Sequence, residues 1–446
     1  MFVFVGGFVE KKNVIIAGAA GRDFHNFLAY YKKHDFYNVV CFTATQIPGI
    51  AGRKFPASLS GKNYPKGIPI FDEKKLPELV KKFKVQEVAL SYSDLPHDYV
   101  MHFASMVQAN GADFVLLGPA STQLKSSKPV VSVCAVRTGS GKSQTSRKIA
   151  QLLQGRGLKV VSIRHPMPYG NLEKQAVQRF ATFEDLKKQN CTIEEREEYE
   201  PYVSRGIVVY AGVDYGKILR SAEKEANVII WDGGNNDFSF IKPDLQIVVC
   251  DPLRQGHEVS YYPGETNFRM ADVLIINKMD SAKKAGVKRL LGNIKKFNPR
   301  AVVIKANSKL TVDVPSQIRG KRVLVVEDGP TLTHGEMFTG AATVAAQRFG
   351  AALIVDAQKF AVGSIKGLYK KYPRLKKILP AMGYSKKQIH ELGQTINRSN
   401  ADLVLSGTPI NLELLVKTKK PILQVKYDLD EIGKPDLQSV LKKLKI

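Results

Sequence analysis

Short, nearly unbroken apolar runs recur along the chain, each followed by a turn and then a stretch with helical spacing. Asn13-Val-Ile-Ile-Ala-Gly18, Asn38-Val-Val-Cys-Phe-Thr43, Glu87-Val-Ala-Leu-Ser91 and Asp113-Phe-Val-Leu-Leu-Gly118 open the series. It continues through Val131-Ser-Val-Cys-Ala-Val136, Lys159-Val-Val-Ser-Ile-Arg164, Ala226-Asn-Val-Ile-Ile-Trp-Asp232 and Ala271-Asp-Val-Leu-Ile-Ile-Asn277. Arg322-Val-Leu-Val-Val-Glu327, Ala351-Ala-Leu-Ile-Val-Asp356 and Ala401-Asp-Leu-Val-Leu-Ser406 close it. Continuous rather than alternating apolar character is what a strand covered on both faces requires, so the pattern predicts an α/β protein with parallel sheets wound on both sides by helices. Ser126-Ser-Lys-Pro129 reads as a linker, and the chain divides into residues 1–128, 129–310 and 311–446. No internal repeat or low-complexity tract interrupts the pattern.

One strand-to-helix connection carries the clearest chemistry. Val136-Arg-Thr138-Gly139-Ser140-Gly141-Lys142-Ser143-Gln144 follows a buried strand and opens a helix. Gly139 and Gly141 allow backbone N–H groups to face inward, Lys142 reaches β- and γ-phosphates, and the Ser143 hydroxyl suits Mg²⁺. This is a phosphate-binding loop, although Val136 stands where the usual pattern has its first glycine. The fold class expected is therefore a P-loop NTPase doubly wound sheet, preceded by a Rossmann-like N-terminal domain and followed by an α/β C-terminal region. In the first of these domains Gly18-Ala-Ala-Gly21-Arg-Asp23 follows a strand as a Rossmann turn does, but the full G-x-G-x-x-G is missing and no acidic residue closes the second strand. A degenerate or regulatory site is expected there. Gly67-Ile-Pro-Ile-Phe-Asp72 with its Leu/Val-periodic helix resembles the small CoA-binding-type Rossmann domains.

Two later strands turn the loop into a nucleotide site. Asp232 is delivered at a strand's carboxyl end, where a doubly wound sheet places ligands, and is the second candidate for Mg²⁺ besides Ser143. Asn277-Lys278-Met279-Asp280 has the N-K-x-D form by which an aspartate accepts two hydrogen bonds from guanine, and Val303-Ile-Lys-Ala-Asn-Ser-Lys309 occupies the place of a second base-contacting loop. The expected nucleotide-binding set is thus Thr138 to Gln144 with Asn277, Lys278 and Asp280, and the co-substrate ATP or GTP.

Cationic and polar residues mark an acceptor site. Arg164 and His165 end a strand beside the phosphate loop, and Arg254, His257 and Arg269 fall on one long connection, Asp251 to Arg269. Glu327-Asp-Gly-Pro-Thr331-Leu-Thr333-His334-Gly-Glu336 is too polar for a core turn and reads as a substrate loop, with His334 a candidate for catalysis alongside Lys142 and Asp232. The acidic stretch Glu194-Glu-Arg-Glu-Glu-Tyr-Glu200 is read as a solvated helix or lid.

Composition narrows the setting. The four cysteines, Cys41, Cys134, Cys191 and Cys250, form no C-x-x-C pair and are expected as free thiols. The apolar start lacks a basic segment before it, and no apolar run approaches the roughly 18 residues of a membrane span, so a soluble cytoplasmic enzyme is expected without a membrane partner. A net charge of +26 is scattered along helices rather than gathered around aromatics, which argues for a solvated basic surface attractive to small polyanions and against nucleic acid. The sequence does not decide whether the protein is a homodimer.

Arrangement and motifs resemble the archaeal P-loop family of predicted GTPases and cyclic 2,3-diphosphoglycerate synthetase relatives along most of the chain. A shorter likeness is to the tetraacyldisaccharide 4'-kinases, carried by Asp232-Gly233, Asp244-Leu-Gln-Ile-Val-Val249, Gly256, Pro263-Gly264, Arg269 and Ala271-Asp272. Both imply NTP- and Mg²⁺-dependent phosphoryl transfer to a small or lipid-like acceptor. The synthetase likeness implies closure of 2,3-diphosphoglycerate to its cyclic phosphoanhydride. The N-K-x-D motif supports the alternative, a regulatory or metallochaperone-type GTPase.

Overall fold

A sheet of thirteen strands, among the described residues, runs through most of the protein, and the phosphate-loop strand lies near the middle of it. The computed structural model describes residues 10–19, 21–45, 50, 52–165, 170–328, 340–375, 377–381, 386–442 and 444. Thr331, Thr333, His334 and Glu336 lie outside them.

Strand Val130–Ala135 is flanked by Val228–Asp232 on one side and Leu245–Cys250 on the other, all parallel. Every residue of these three strands is buried, as their largely apolar sequences require. Outward from them lie Val160–Arg164 and Val273–Ile276, again parallel. Their carboxyl ends therefore deliver Arg164, Asp232, Asp251 and Asn277 to the same edge as the loop that follows Ala135.

The expected boundary at residue 310 falls inside a strand. Val302–Val312 pairs in parallel with Val273–Ile276 through its first half and antiparallel with Ile422–Glu431 through its second, from Ala306 to Val312. That strand joins the phosphate-loop sheet to the C-terminal one, in which Ile422–Glu431, Leu403–Ser406 and Arg322–Asp328 lie side by side. The apolar run 351–356 yields only the two-residue edge strand Leu353–Ile354.

The N-terminal domain holds a separate sheet in the order Lys54–Phe55, Ile68–Asp72, Tyr37–Ala44, Lys12–Ala17, Glu87–Leu90, Asp113–Val115. An aromatic cluster of Phe24, Phe27, Phe42 and Phe55 fills one of its faces. At the Rossmann-like turn Asp23 accepts hydrogen bonds from the backbone N–H groups of Gly21 at 3.0 Å and Phe24 at 2.7 Å. The helix start that would cradle a dinucleotide phosphate is thus filled by a carboxylate of the chain itself.

Polar ties fix this domain against the phosphate-loop region. Arg22 forms a buried ion pair with Asp237, and His25 stacks on Phe240 with ring centroids 4.1 Å apart. Burial pushes His25 down to about 3, so it packs as a neutral ring. Cys41, Cys134 and Cys250 are buried free thiols in strands, and Cys191 is a half-buried free thiol. Among the described residues no helix is long and apolar enough to cross a membrane.

Candidate active site

The helix Lys142–Gln154 starts from Gly141, whose φ of 113° suits a residue without a side chain. A Cβ there would stand 2.0 Å from Asn277 Nδ2 and 2.6 Å from Gln144 Nε2, so the close approach of the neighbouring loop also demands glycine. The N-K-x-D segment braces the loop from behind. Asn277 Nδ2 donates to the Ser140 carbonyl at 2.9 Å, and Lys278 Nζ donates to the Gly139 carbonyl at 2.7 Å and to Asp251 Oδ2 at 2.8 Å. Asp280 is exposed at the rim, where Ser308 N–H lies 3.4 Å from its carboxylate. The two segments expected to meet a nucleotide base therefore adjoin.

Lys142 Nζ lies 3.4 Å from Asp232 Oδ1, and the side chain is 11% exposed. Asp232 is fully buried and also accepts a hydrogen bond from the Tyr202 hydroxyl at 2.6 Å and pairs with Arg164. Burial pushes the Asp232 carboxyl up, but the Arg164 and Lys142 charges outweigh it and hold it below the usual carboxylate range. Burial lowers the Lys142 ammonium, partly opposed by Asp232. Asp232 is thus a fixed anion, and Lys142 is a cation held where a γ-phosphate of a loop-bound nucleotide would take over its pairing.

Several expected acceptor residues have other work. Arg254 Nη2 donates to Ser140 Oγ at 3.1 Å and pairs with Asp251, also at 3.1 Å, so it supports the phosphate loop. His257 Nδ1 is 2.7 Å from an Arg137 Nη and its ring stacks on Tyr261; burial, then the Arg137 and Arg254 charges, lower it to about 4. Arg269 is exposed and pairs with Glu265 one helical turn away, outside the cavity. His165 Nε2–H donates to Asp237 Oδ2 at 2.8 Å, at the junction with the N-terminal domain. In the connection from 251 to 269, Asp251, Arg254 and His257 bond to Lys278, Ser140 and Arg137, and Leu253 lines the cavity in front of the loop.

A cavity of about 380 Å³ opens in front of the loop. Gly139, Lys142 and Ser143 line one part, and Glu197, Glu327 and Asp328 another. Glu327, the penultimate residue of strand Arg322–Asp328, accepts hydrogen bonds from the N–H of Thr343 at 2.7 Å, the Thr343 hydroxyl at 2.7 Å and the N–H of Ala342 at 3.2 Å. Its sequence partners Thr331, Thr333 and His334 are outside the described residues. Glu197 lies on the helix Ile193–Val203, the stretch expected as a solvated helix or lid; it is not a solvated face, since Glu194, Glu195, Glu197 and Glu200 are all buried. Sequence gave a signal for this only in the run's unusual density of glutamates flanked by Ile193, Tyr199 and Tyr202.

The chain is 62% identical over 433 residues to the arginine synthetase ArcE of Thermococcus kodakarensis, covering 97% of each chain. It belongs to the arginine synthetase family. No protein-family model matches this member of the family. Among solved structures, LpxK of Aquifex aeolicus in complex with ATP is 13% identical with a TM-score of 0.46, covering 82% of this synthetase-family chain and 99% of its own. Cobyrinic acid a,c-diamide synthase of Mycobacterium smegmatis, with a bound ATP analogue and magnesium, is 14% identical with a TM-score of 0.19, covering 40% and 72%.

Proposed function

We propose that this protein is a nucleoside-triphosphate-dependent synthetase that forms arginine. The observation carrying the reading is that Lys142, at the mouth of a glycine loop and tied to Asp232, opens into one cavity shared with the C-terminal sheet. Such a loop handles a γ-phosphoryl group. Arginine differs from its neutral ureido counterpart, citrulline, by one nitrogen in place of one oxygen. Transfer of the γ-phosphoryl group to the ureido oxygen releases the nucleoside diphosphate. Ammonia then attacks the ureido carbon, the C–O bond breaks, phosphate departs with that oxygen, and a proton is lost from nitrogen. The 2,3-diphosphoglycerate reaction expected from sequence shares the phosphorylation half and differs in the nucleophile that follows.

Lys142 neutralises the transferring phosphate, and the backbone N–H groups at Gly139 to Gly141 orient the diphosphate. Ser143, lining the cavity, and Asp232, kept ionised, are the donors that fit Mg²⁺, which when bound supplies charge neutralisation on the phosphate oxygens. Asp280 beside Ser308 meets the base and sets the preference between ATP and GTP. The test incubates the protein with ATP or GTP, Mg²⁺, citrulline and ammonium, and in parallel with 2,3-diphosphoglycerate. Arginine formed in step with nucleoside diphosphate supports the reading. Nucleotide consumption that depends on 2,3-diphosphoglycerate and yields no arginine overturns it.

A further inference from the structure

One buried charge at the cavity lacks a counter-charge. Arg147 stands on the helix Lys142–Gln154, four residues after Ser143 and three after Gln144, and shares with them the helix face that lines the cavity. It is 7% exposed. Its Nε is buried with no hydrogen-bond partner, and its Nη2 donates to the Tyr427 carbonyl at 3.4 Å, a long bond. Among the described residues no carboxylate forms an ion pair with it. A guanidinium this deep without an anion is costly, and an anion entering the cavity would relieve the cost.

The acids that line the cavity are engaged elsewhere. Glu197 hydrogen-bonds with Asp328 and the Thr408 hydroxyl, and Glu327 takes its bonds from Thr343 and Ala342. Arg205 stands close enough to Arg147 for repulsion, since burial and then the Arg147 charge lower its guanidinium. Half-buried Tyr427, on strand Ile422–Glu431, backs Arg147, whose guanidinium carbon is 5.9 Å from the ring centroid. A planar guanidinium fork in such a place selects a carboxylate or a phosphate. Phosphates already have Lys142 and the loop N–H groups, and Arg147 lies about 7.5 Å further along the helix axis than Lys142. In citrulline and arginine six bonds, about 7 Å when extended, separate the reacting carbon from the α-carboxylate.

We propose that Arg147, oriented by the Tyr427 carbonyl, is the subsite for the α-carboxylate of the amino-acid substrate, so that the substrate's side chain runs from Arg147 toward Lys142 and its reacting end meets the γ-phosphoryl group. The assignment rests on the arginine reading and names the residue that holds the end of the molecule that does not react. It also makes the site selective for amino acids. An amine with the same side chain and no carboxylate would leave the Arg147 charge buried and unpaired, at a cost in affinity.

The test is calorimetric titration of the whole protein, with ADP or GDP and Mg²⁺ present, using L-arginine and agmatine, which is arginine without its carboxylate. Arg147→Met keeps the stem and removes the charge, Arg147→Lys keeps a charge without the fork, and the urea midpoint reports that each variant is folded. The unmodified protein should bind arginine at least about tenfold more tightly than agmatine. Arg147→Met should abolish that preference by weakening arginine alone, with agmatine and nucleotide affinities unchanged and Arg147→Lys intermediate. Equal binding of the two ligands by the unmodified protein, or their parallel weakening in either variant, overturns the subsite. So does failure to bind arginine, or an equal loss of nucleotide affinity, which would place a nucleotide phosphate on Arg147. Arginine formation with a preference indifferent to Arg147 would retain the synthetase and remove the subsite. A preference for the carboxylate that needs Arg147, in a protein that forms no arginine, would do the reverse.

Discussion

Glu327 gives the most direct physical test of how this cavity is built. Its carboxyl is 1% exposed and is pushed up to about 7, chiefly by burial, against the hydrogen bonds it accepts from Thr343 and Ala342. In the unfolded chain the same group ionises near 4.5. The folded protein therefore holds a proton that the unfolded chain has released over the interval between these values. The raised folded value fixes the sign: the stability associated with this proton is complete below about pH 4.5 and is lost as pH rises through about 7. At about 1.4 kcal/mol for each tenfold in proton affinity, the full effect is about 3 kcal/mol, an upper figure because other acids respond to its charge. Glu327→Gln removes the titration while keeping an oxygen for the Thr343 donors. Urea unfolding of both proteins from pH 4.5 to 8 should show the variant gaining about 2–3 kcal/mol on the unmodified protein across that range. Parallel stability profiles would refute the argument, since they would mean that Glu327 ionises alike in the folded and unfolded chains.

Other substitutions test the phosphate loop. Lys142→Ala should lower nucleotide turnover by at least about a hundredfold while leaving the urea midpoint nearly unchanged, because Asp232 keeps Arg164 as a partner; retention of more than about a tenth of the rate would contradict the role given to Lys142. Gly141→Ala should abolish nucleotide binding measured by calorimetry, since its Cβ would fall 2.0 Å from Asn277 Nδ2. Arg254→Ala should weaken nucleotide affinity, because Arg254 holds Ser140; a change confined to the acceptor KM would return Arg254 to the acceptor site. Asp280→Asn should weaken GTP binding and admit xanthosine triphosphate, and equal affinity of the unmodified protein for ATP and GTP would rule out guanine reading by Asp280.

The strand, glycine turn and helix around Lys142 were legible in the sequence because they are local. A phosphate loop is one strand, one turn and one helix, and the glycines at 139 and 141 announce backbone conformations that other residues resist. Asp232 and Asn277 could be placed from the apolar runs that precede them, since each run ends at the same edge of a parallel sheet. The doubly wound fold followed from the same continuous apolar pattern. Tertiary structure alone decided the rest. Arg254 and His257 carry the right charge for an acceptor in one dimension, but the chain folds their segment behind the loop, where Ser140, Asp251 and Arg137 claim them. The glutamates of 194–200 look like a solvated face because no sequence period shows that the turn at 408–411, about two hundred residues on, will reach them. Glu197 accepts a hydrogen bond from the Thr408 hydroxyl and Glu200 from the Asn411 N–H, both in the turn after Leu403–Ser406. Local pattern fixes which residues can form a strand, whereas the partner more than a hundred residues away fixes which cavity their neighbours line.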